Sequence, residues 1–309
     1  MYNPKSKSTG SRLTNEIIPT VKDKFSFLYL EFAKIVQDEY SIVAYQDSQK
    51  VLMPLAMINV LLLGPGTSVS HAAIKTIADA GCSIIWCGKD LNYIYSTGLI
   101  MSEYSKNLII QAKCYVDTQK HSSVVRRMYQ IRYPDVCLDK FSLQQMRGME
   151  GKRVKELYRT CAEEYDVEWS GREYDIDDFD SGSCVNRLLT VGNQLLYDIC
   201  QAAIISFGLS PGLGFIHNGH ARSFVYDVAD LYKEKMVIPT AFWLAAENVS
   251  EDEMRTQCRK VFYECNLMKN IAKDLAELFK FDDITSKLPV DVGLWDVTDC
   301  VNQGINYGK

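Results

Sequence analysis

The spacing of hydrophobic residues in this 309-residue chain changes its period near residue 100, and this change limits the fold classes that the chain can adopt. Before that point, short runs rich in aromatic and β-branched residues alternate with turn sequences, which is typical of strands. After it, apolar residues recur at helical spacing over long segments. The sequence therefore predicts an α+β fold with a β-rich N-terminal domain at 1–100, a larger all-α domain at 101–281 and a C-terminal tail at 282–309.

The period also predicts individual elements. Strands are predicted at 25–35, 41–45, 50–53, 57–62, 83–86 and 93–95. One helix interrupts them at 69–80 and ends at Gly81, a residue suited to a helix C-terminus. Further helices are predicted at 101–117, 121–132, 142–165, 184–207, 222–232, 237–246 and 250–280. The weak alternation in 282–309 is typical of a tail or an edge strand.

The net charge of −5 argues, taken alone, against a nucleic-acid-binding protein, because such proteins usually carry a basic surface. The charge is unevenly distributed, however. Residues 120–160 hold ten Lys or Arg against four acids, a net of +6, whereas 162–180 hold nine acids against Arg172, a net of −8. The net charge therefore conceals a basic block that is compatible with binding a polyanion.

A turn and the helix after it bring together residues that suit a hard divalent cation. His217 lies in a glycine-bracketed turn, and Asp227 and Asp230 are three residues apart on one face of the predicted helix. Carboxylate oxygens with one imidazole suit such a cation, and buried acids need a partner. The alternative is structural, with the two acids acting as caps or forming salt bridges to Arg222 and Lys233.

A third acid comes from the basic block. Glu150 is flanked by Gly148 and Gly151 in a predicted helix, where glycine costs about 1 kcal/mol relative to alanine. Small neighbours let a binding partner approach the Glu150 carboxylate closely, which is a reason to tolerate that cost. Basic residues surround Glu150 on several helix faces and suit phosphate contacts. The alternative is an ordinary solvated basic helix.

Several common functional classes are excluded. The chain has no dinucleotide-binding fingerprint, phosphate-binding loop, GxSxG nucleophile elbow or HExxH motif. Its ten cysteines include no CxxC pair, which favours reduced, buried thiols in a cytoplasmic protein. The polar N-terminus does not resemble a signal peptide, and the longest apolar run, 51–63, is too short to span a bilayer. We therefore expect no membrane association.

Three blocks in this order carry a resemblance to a known family: Arg147-Gly-Met-Glu-Gly, Ile216-His-Asn-Gly and Ser223-Phe-Val-Tyr-Asp-Val-Ala-Asp. They resemble the signature of CRISPR-associated protein one, the adaptation integrase of CRISPR systems. Further blocks resemble its type I-E branch, among them the segments that begin at Lys22, Gly64 and Trp169. The resemblance extends from about residue 22 to residue 280 and is more specific than any single motif.

The resemblance implies a function and a site. It implies a metal-dependent integrase and endonuclease that inserts captured DNA into a CRISPR array through attack of a 3′-hydroxyl on a phosphodiester. Glu150, His217 and Asp230 would be ligands of Mg²⁺ or Mn²⁺, in a catalytic domain formed by the helices. Asp227 would be a further acid of the catalytic site, and Tyr197 would lie near it.

The resemblance also implies partners. These are a second copy of the chain in a homodimer, the small CRISPR-associated protein two, double-stranded DNA with 3′ single-stranded ends, and CRISPR repeat DNA, all in a prokaryotic cytoplasm. Phe32 falls where relatives place an aromatic wedge at the duplex end, although a strand core residue is the alternative. The residues predicted to line the DNA path are Lys75, Arg126, Arg127, Arg147, Arg153, Lys155, Arg172, Arg255 and Arg259.

Two other functions remain open at this point. The first is a non-catalytic, dimeric nucleic-acid-binding scaffold in which the acids are structural. The second is a small-molecule phosphodiesterase that uses the same three metal ligands. Ser68 and His220 stand where relatives carry a basic residue, so weaker phosphate contacts or an altered donor preference are expected there.

Overall fold

The computed structural model describes residues 26–39, 41–46, 49–55, 58–88, 94–98, 105–172, 182–280, 293–296 and 299–302. Within these ranges a strand-rich N-terminal region precedes a larger helical region, so the predicted α+β class is confirmed. Parts of the predicted strand at 93–95, the predicted helix at 101–117, the acidic stretch and the C-terminal tail lie outside the described residues. The domain boundaries stay predictions.

The N-terminal region forms two four-stranded sheets. Its strands are β1 (Ser26–Leu30), β2 (Lys34–Asp38), β3 (Ser41–Gln46), β4 (Gln49–Met53), β5 (Ile58–Leu63), β6 (Ser68–Val69), β7 (Ser83–Cys87) and β8 (Ile94–Gly98). One sheet has the order β1-β5-β7-β8, in which only the β7–β8 pair is antiparallel. The other has the order β4-β3-β2-β6, in which β2 and β6 are parallel.

The single strand predicted at 25–35 is wrong, because the chain turns between β1 and β2. Phe32 adopts a left-handed backbone conformation with φ of 50°, which is incompatible with a continuous β-strand and changes the direction of the chain. Its N–H donates to the carbonyl of Pro65 at 2.8 Å, and the N–H of Gly64 donates to Leu30 at 2.7 Å. The turn therefore delivers the chain from one sheet to the other.

The helices are α1 (His71–Asp79), α2 (Lys106–Val116), α3 (Thr118–Arg132), α4 (Leu143–Glu164), α5 (Cys184–Ser206), α6 (Ser223–Ala246), α7 (Glu251–Glu264) and α8 (Leu267–Phe279). Side-chain caps explain several starts. Ser142 and Gln145 form a reciprocal capping box at α4, and Ser250 accepts from the N–H of Glu253 at α7. A short antiparallel hairpin, β9 (Gly293–Asp296) with β10 (Asp299–Asn302), follows in the C-terminal tail.

Two helix predictions need correction. The separate helices predicted at 222–232 and 237–246 are one helix, α6, which continues through a charged segment and Pro239. Conversely, the single helix predicted at 250–280 is two, because Asn266 has φ of 49° between α7 and α8. Asparagine tolerates this left-handed conformation better than most residues, so it can end a helix without a glycine.

Two hydrophobic cores organise the chain. One lies between the two sheets and α1, with residues such as Ile35, Leu61 and Ile77. The other fills the helical region and includes Val60 and Ile85 of the first sheet. The helix α5 is long and apolar enough to cross a membrane, but 78% of its most apolar window is buried inside the protein. This burial is what a central core helix requires, and α5 accordingly packs mainly against α6.

Candidate metal and DNA site

A buried carboxylate holds the His217 turn in place. The Asp227 side chain on α6 is fully buried, and its Oδ2 accepts the N–H groups of Phe215 at 2.5 Å and Ile216 at 3.1 Å. Its Oδ1 accepts the backbone N–H of His217 at 2.8 Å and lies 2.8 Å from the Nδ1 atom of the ring. Asp227 is therefore saturated with hydrogen bonds and acts on His217 rather than facing a ligand.

The position of Asp227 determines how His217 can act. Because Nδ1 bonds to Asp227, the nitrogen left for a ligand is Nε2, and 44% of the side chain is exposed. The hydrogen bond to Asp227 raises the pKa of His217, and the charge of Asp230 contributes, although burial opposes both. The Asp230 carboxylate is thus near enough for its charge to influence the imidazole.

Gly214 makes this turn possible. A Cβ atom at Gly214 would lie 2.3 Å from the His217 carbonyl oxygen and 2.7 Å from the Cβ of Ser223. Any other residue would push the turn away from the start of α6. The glycine that brackets the motif therefore places His217 beside the helix that carries Asp227 and Asp230.

Asp230 forms an ion pair one helical turn along α6. Its Oδ1 accepts a hydrogen bond from the Lys233 Nζ at 2.6 Å, and 15% of the Asp230 side chain is exposed. Lys233 also lies 5.2 Å from the centre of the Tyr197 ring on α5. Burial lowers the pKa of Lys233, but Asp230 and Tyr197 outweigh burial and hold it above the ordinary value. Tyr197 therefore borders the candidate site, as predicted.

Both aspartates make contacts of the kind that the structural alternative describes. Asp230 pairs with Lys233, and Asp227 caps the backbone N–H groups of the His217 turn but forms no salt bridge to Arg222. Arg222 pairs instead with the buried Asp198 at 2.7 Å.

Glu150 on α4 is held by two groups of α3. Tyr129 donates from its hydroxyl to Oε2 at 2.6 Å, and Arg132 donates from Nη1 to Oε1 at 2.5 Å. Arg132 is almost fully buried, with 4% of its side chain exposed, and its Nη2 donates to Glu234 on α6. The Tyr133 hydroxyl donates to the same Glu234 oxygen at 2.9 Å. Three helices thus meet around one guanidinium group.

The predicted ligands are related through electrostatic interactions with Arg132 and with one another, although they make no direct contact. Burial lowers the pKa of Arg132, but the carboxylates of Glu150 and Asp230 counteract it and the net shift is upward. Asp230 therefore interacts electrostatically with Arg132 on one side and with His217 on the other. The helices α3, α4 and α6 and the turn before α6 place these charges in one region.

Among the described residues, no three His, Cys, Asp or Glu side chains stand together in a metal-binding arrangement. Two of the predicted ligands pair with cations instead, Glu150 with Arg132 and Asp230 with Lys233. The donor set itself, two carboxylates and an imidazole oriented by Asp227, fits Mg²⁺ or Mn²⁺ chemically. Metal binding by Glu150, His217 and Asp230 stays a prediction.

Some predicted DNA contacts are on open surface. Phe32 is 65% exposed, so the alternative of a strand core residue is excluded for it. Of the basic residues predicted to contact DNA, those exposed on α1 and α4 are Lys75, Arg147, Arg153 and Lys155. A Cβ atom added at Gly148 or Gly151 would meet no atom within 4 Å, so the helix surface beside Glu150 is open.

Other predicted DNA contacts are engaged with the protein. Arg126 donates to the Leu138 carbonyl at 3.1 Å, and Arg172 donates to Asn186 and Thr190, each at 2.7 Å. The remaining three are the half-buried Arg127, Arg255, which pairs with Asp252, and Arg259, which lies 5.7 Å from the Tyr29 ring centre. These arginines would need to share their donors with a phosphate, and their DNA role stays a prediction.

Arg132 and Glu234 are site residues that the sequence patterns do not predict. Arg132 is the last residue of α3, and Glu234 lies between the two helices predicted at 222–232 and 237–246. A signal existed, because Tyr129 and Arg132 are three residues apart on a helix face that is otherwise apolar. A cation on a buried face requires a partner acid, but the sequence does not say which acid it is.

Comparisons with known proteins agree with the motifs. A family model described as CRISPR associated protein Cas1 matches residues 137–280. A CRISPR-associated endonuclease Cas1 of Clostridium sp. (strain SY8519) is 38% identical over 297 residues, covering 94% of this chain and 99% of that protein. The Cas1 endonuclease of Escherichia coli (strain K12) is 32% identical, covering 87% and 89%. The crystal structure of a TtCas1–DNA complex is similar with a TM-score of 0.73 at 38% identity, covering 85% of this chain and 99% of that one.

Proposed function

The chain belongs to the Cas1 family of CRISPR-associated proteins, and we propose that it is a metal-dependent DNA integrase and endonuclease. It inserts captured DNA fragments into a CRISPR array in the prokaryotic cytoplasm. The observation that carries the proposal is that Asp227 orients His217 in the region that also holds Asp230 and Glu150, each paired with a cation, next to exposed basic residues of α4.

The reaction requires little covalent chemistry from the protein. The 3′-oxygen of the donor DNA forms a bond to a target phosphorus, and the bond from that phosphorus to the 3′-oxygen of the preceding target nucleotide breaks. The attacking hydroxyl loses its proton to solvent, and the departing 3′-oxygen takes up a proton from solvent. Phosphoryl transfer depends mainly on positioning and on neutralising charge. The chain therefore needs no nucleophilic side chain, and water in place of the hydroxyl gives endonuclease activity.

The side chains of the site have separate tasks. Glu150, Asp230 and the Nε2 atom of His217 would hold Mg²⁺ or Mn²⁺, which supplies Lewis-acid stabilisation of charge on the phosphate oxygens. Asp227 keeps the imidazole in one tautomer and orientation. Tyr197 lies beside Lys233 and would help to keep this cation at the site if Asp230 held a metal ion.

The DNA and protein partners belong to the same proposal. The exposed side chains Arg147, Arg153 and Lys155 contact phosphates without reading sequence. Phe32 stacks on the last base pair of a duplex with 3′ single-stranded ends. The chain forms a homodimer and assembles with CRISPR-associated protein two and with CRISPR repeat DNA.

A joining assay tests the enzyme against the scaffold. A donor duplex with 3′-hydroxyl ends and a supercoiled plasmid are mixed with Mn²⁺ or Mg²⁺ and with wild-type protein or Asp230→Ala. The proposal expects joining to be lost, with DNA binding kept. Asp38→Ala is the matched control, because Asp38 also pairs with a lysine, Lys50, at 2.7 Å on an exposed surface. Wild-type joining by Asp230→Ala supports the scaffold instead.

A further inference from the structure

The guanidinium of Arg132 is shared between two carboxylates, and this sharing bears on how Glu150 can bind a cation. Arg132 donates from Nη1 to Glu150 and from Nη2 to Glu234, and only 4% of its side chain is exposed. A buried guanidinium remains charged, because arginine does not lose its proton in proteins. A full positive charge therefore stands permanently beside the Glu150 carboxylate.

This charge creates a problem for a metal ligand. A divalent cation on Glu150 would be repelled by Arg132, and the repulsion is strong where water is largely excluded. The Glu234 carboxylate accepts from the other terminal nitrogen of the same guanidinium, and its negative charge offsets the positive charge of Arg132. Tyr133 fixes Glu234 there with a hydrogen bond of 2.9 Å, and Glu234 itself is 19% exposed.

The geometry points to Glu234 as a positioning residue for the metal site. We propose that Glu234 neutralises Arg132, so that Arg132 can orient the Glu150 carboxylate without excluding the divalent cation. The inference rests on the proposed function, because it assumes that Glu150 is a ligand. Glu234 itself touches neither the cation nor DNA.

Two substitutions at one position separate charge from shape. Glu234→Gln keeps the length and an oxygen that can accept from Arg132, but removes the charge. Glu234→Asp keeps the charge but shortens the side chain and weakens the direct contact. A purely structural role predicts that the aspartate variant is the more impaired of the two, whereas charge compensation predicts the reverse.

The readout is Mn²⁺ binding to the full chain, measured by the electron paramagnetic resonance signal of free Mn²⁺. We expect the midpoint to rise about tenfold in Glu234→Gln and to change by less than about twofold in Glu234→Asp. Glu156→Gln is the matched control, because Glu156 also pairs with an arginine, Arg159, on an exposed part of α4. It should bind Mn²⁺ like the wild type.

A double variant covers the case in which Glu234→Gln does not fold. In Arg132→Gln/Glu234→Gln no guanidinium is left for Glu234 to neutralise, so Mn²⁺ should bind within about threefold of the Arg132→Gln single variant, which has also lost the orienting arginine. A midpoint in the double variant about tenfold above that of Arg132→Gln contradicts the inference. So does a Glu234→Gln protein that binds like the wild type, or an aspartate variant that binds as weakly as the glutamine variant.

Failure of the proposed function would look different. If Glu150→Gln binds Mn²⁺ like the wild type, Glu150 is not a ligand and the function falls together with this inference. If Glu150→Gln loses Mn²⁺ while Glu234→Gln binds normally, only the role of Glu234 is overturned. In the supported case, excess Mn²⁺ also restores DNA joining to Glu234→Gln and does not restore it to Glu150→Gln.

Discussion

The Nδ1 atom of His217 lies 2.8 Å from Oδ1 of Asp227, and the same carboxylate accepts the backbone N–H groups of Phe215, Ile216 and His217. One fully buried side chain thus fixes both the turn and the imidazole that it carries. We expect Asp227→Asn to reduce metal affinity and DNA joining by about 10- to 100-fold, because the amide has one acceptor oxygen in place of two and no longer favours the same tautomer of His217. Mn²⁺ titration and joining rates measure this.

The control for this prediction is Asp252→Asn, an exposed aspartate on α7 whose partner is Arg255. Asp252→Asn should keep the wild-type Mn²⁺ midpoint. Asp227→Asn should in addition lower the free energy of unfolding by about 1–3 kcal/mol, because buried N–H groups lose an acceptor. Unchanged metal affinity in Asp227→Asn would mean that the His217 orientation is irrelevant to the site.

Asp198 gives a prediction about pH and stability. Burial raises the pKa of its carboxyl to about 6, although Arg222 and Gln194 oppose the shift. The folded protein therefore binds a proton more readily than the unfolded chain between about pH 4 and pH 6. The stability that this proton contributes is complete below about pH 4 and is lost as the pH rises through about 6.

Asp198→Asn removes this titration. We expect the free energy of unfolding of the wild type, relative to the variant, to fall by about 3 kcal/mol between pH 4 and pH 7. Denaturant unfolding at several pH values measures the difference. A difference that stays constant with pH would show that Asp198 keeps its charge throughout this range.

Phe32 is predicted to act on DNA ends without contributing to the core. Its side chain is 65% exposed, so Phe32→Ala should leave thermal stability nearly unchanged. Loss of stacking should weaken binding of a duplex with unpaired ends by about 1–3 kcal/mol. Fluorescence anisotropy measures this, with Tyr95→Ala as the control, since Tyr95 is 70% exposed on β8. Equal binding by both variants would remove Phe32 from the DNA site.

Gly151 offers a test of the open surface beside Glu150. A methyl group at Gly151 meets no atom within 4 Å, so Gly151→Ala should stabilise α4 by about 1 kcal/mol. The same methyl group takes up part of the space through which a binding partner reaches the Glu150 carboxylate. We therefore expect DNA joining to slow about fivefold. Thr160→Ala, at the exposed far end of α4, should stabilise the helix without slowing the reaction. Faster joining by Gly151→Ala would contradict this role for the glycine.

Local pattern predicted most of the fold, and the family prediction is confirmed by relatives that match nearly the whole chain. The errors occurred where distant contacts decide local structure. The charged segment Lys233-Glu234-Lys235 looks like a helix break in the sequence, yet α6 continues because Asp230 and Arg132 pair with its first two residues. Conversely, the helical spacing of apolar residues does not indicate that Asn266 adopts a left-handed conformation and divides α7 from α8.

The site was predictable in its residue types but not in its contacts. The spacing in the sequence places Asp227 and Asp230 on one helix face. It does not show that Asp227 accepts hydrogen bonds from the turn while Asp230 pairs with Lys233, because that difference arises when the turn folds onto Asp227. Arg132 could not be connected to Glu150 and Glu234, because three helices distant in sequence supply the three charges. Such contacts arise from packing and leave no periodic signal in the sequence.

In the proposed site, Glu150, Asp230 and the Nε2 atom of His217 bind one divalent cation. Electron spin echo modulation of bound Mn²⁺ detects a directly bonded imidazole nitrogen and therefore tests for this bond. We expect nitrogen modulation in the wild type and in His71→Gln, which changes an exposed histidine on α1, and its loss in His217→Gln. Modulation that persists in His217→Gln, or bound Mn²⁺ without nitrogen modulation in the wild type, would show that His217 does not bind the metal.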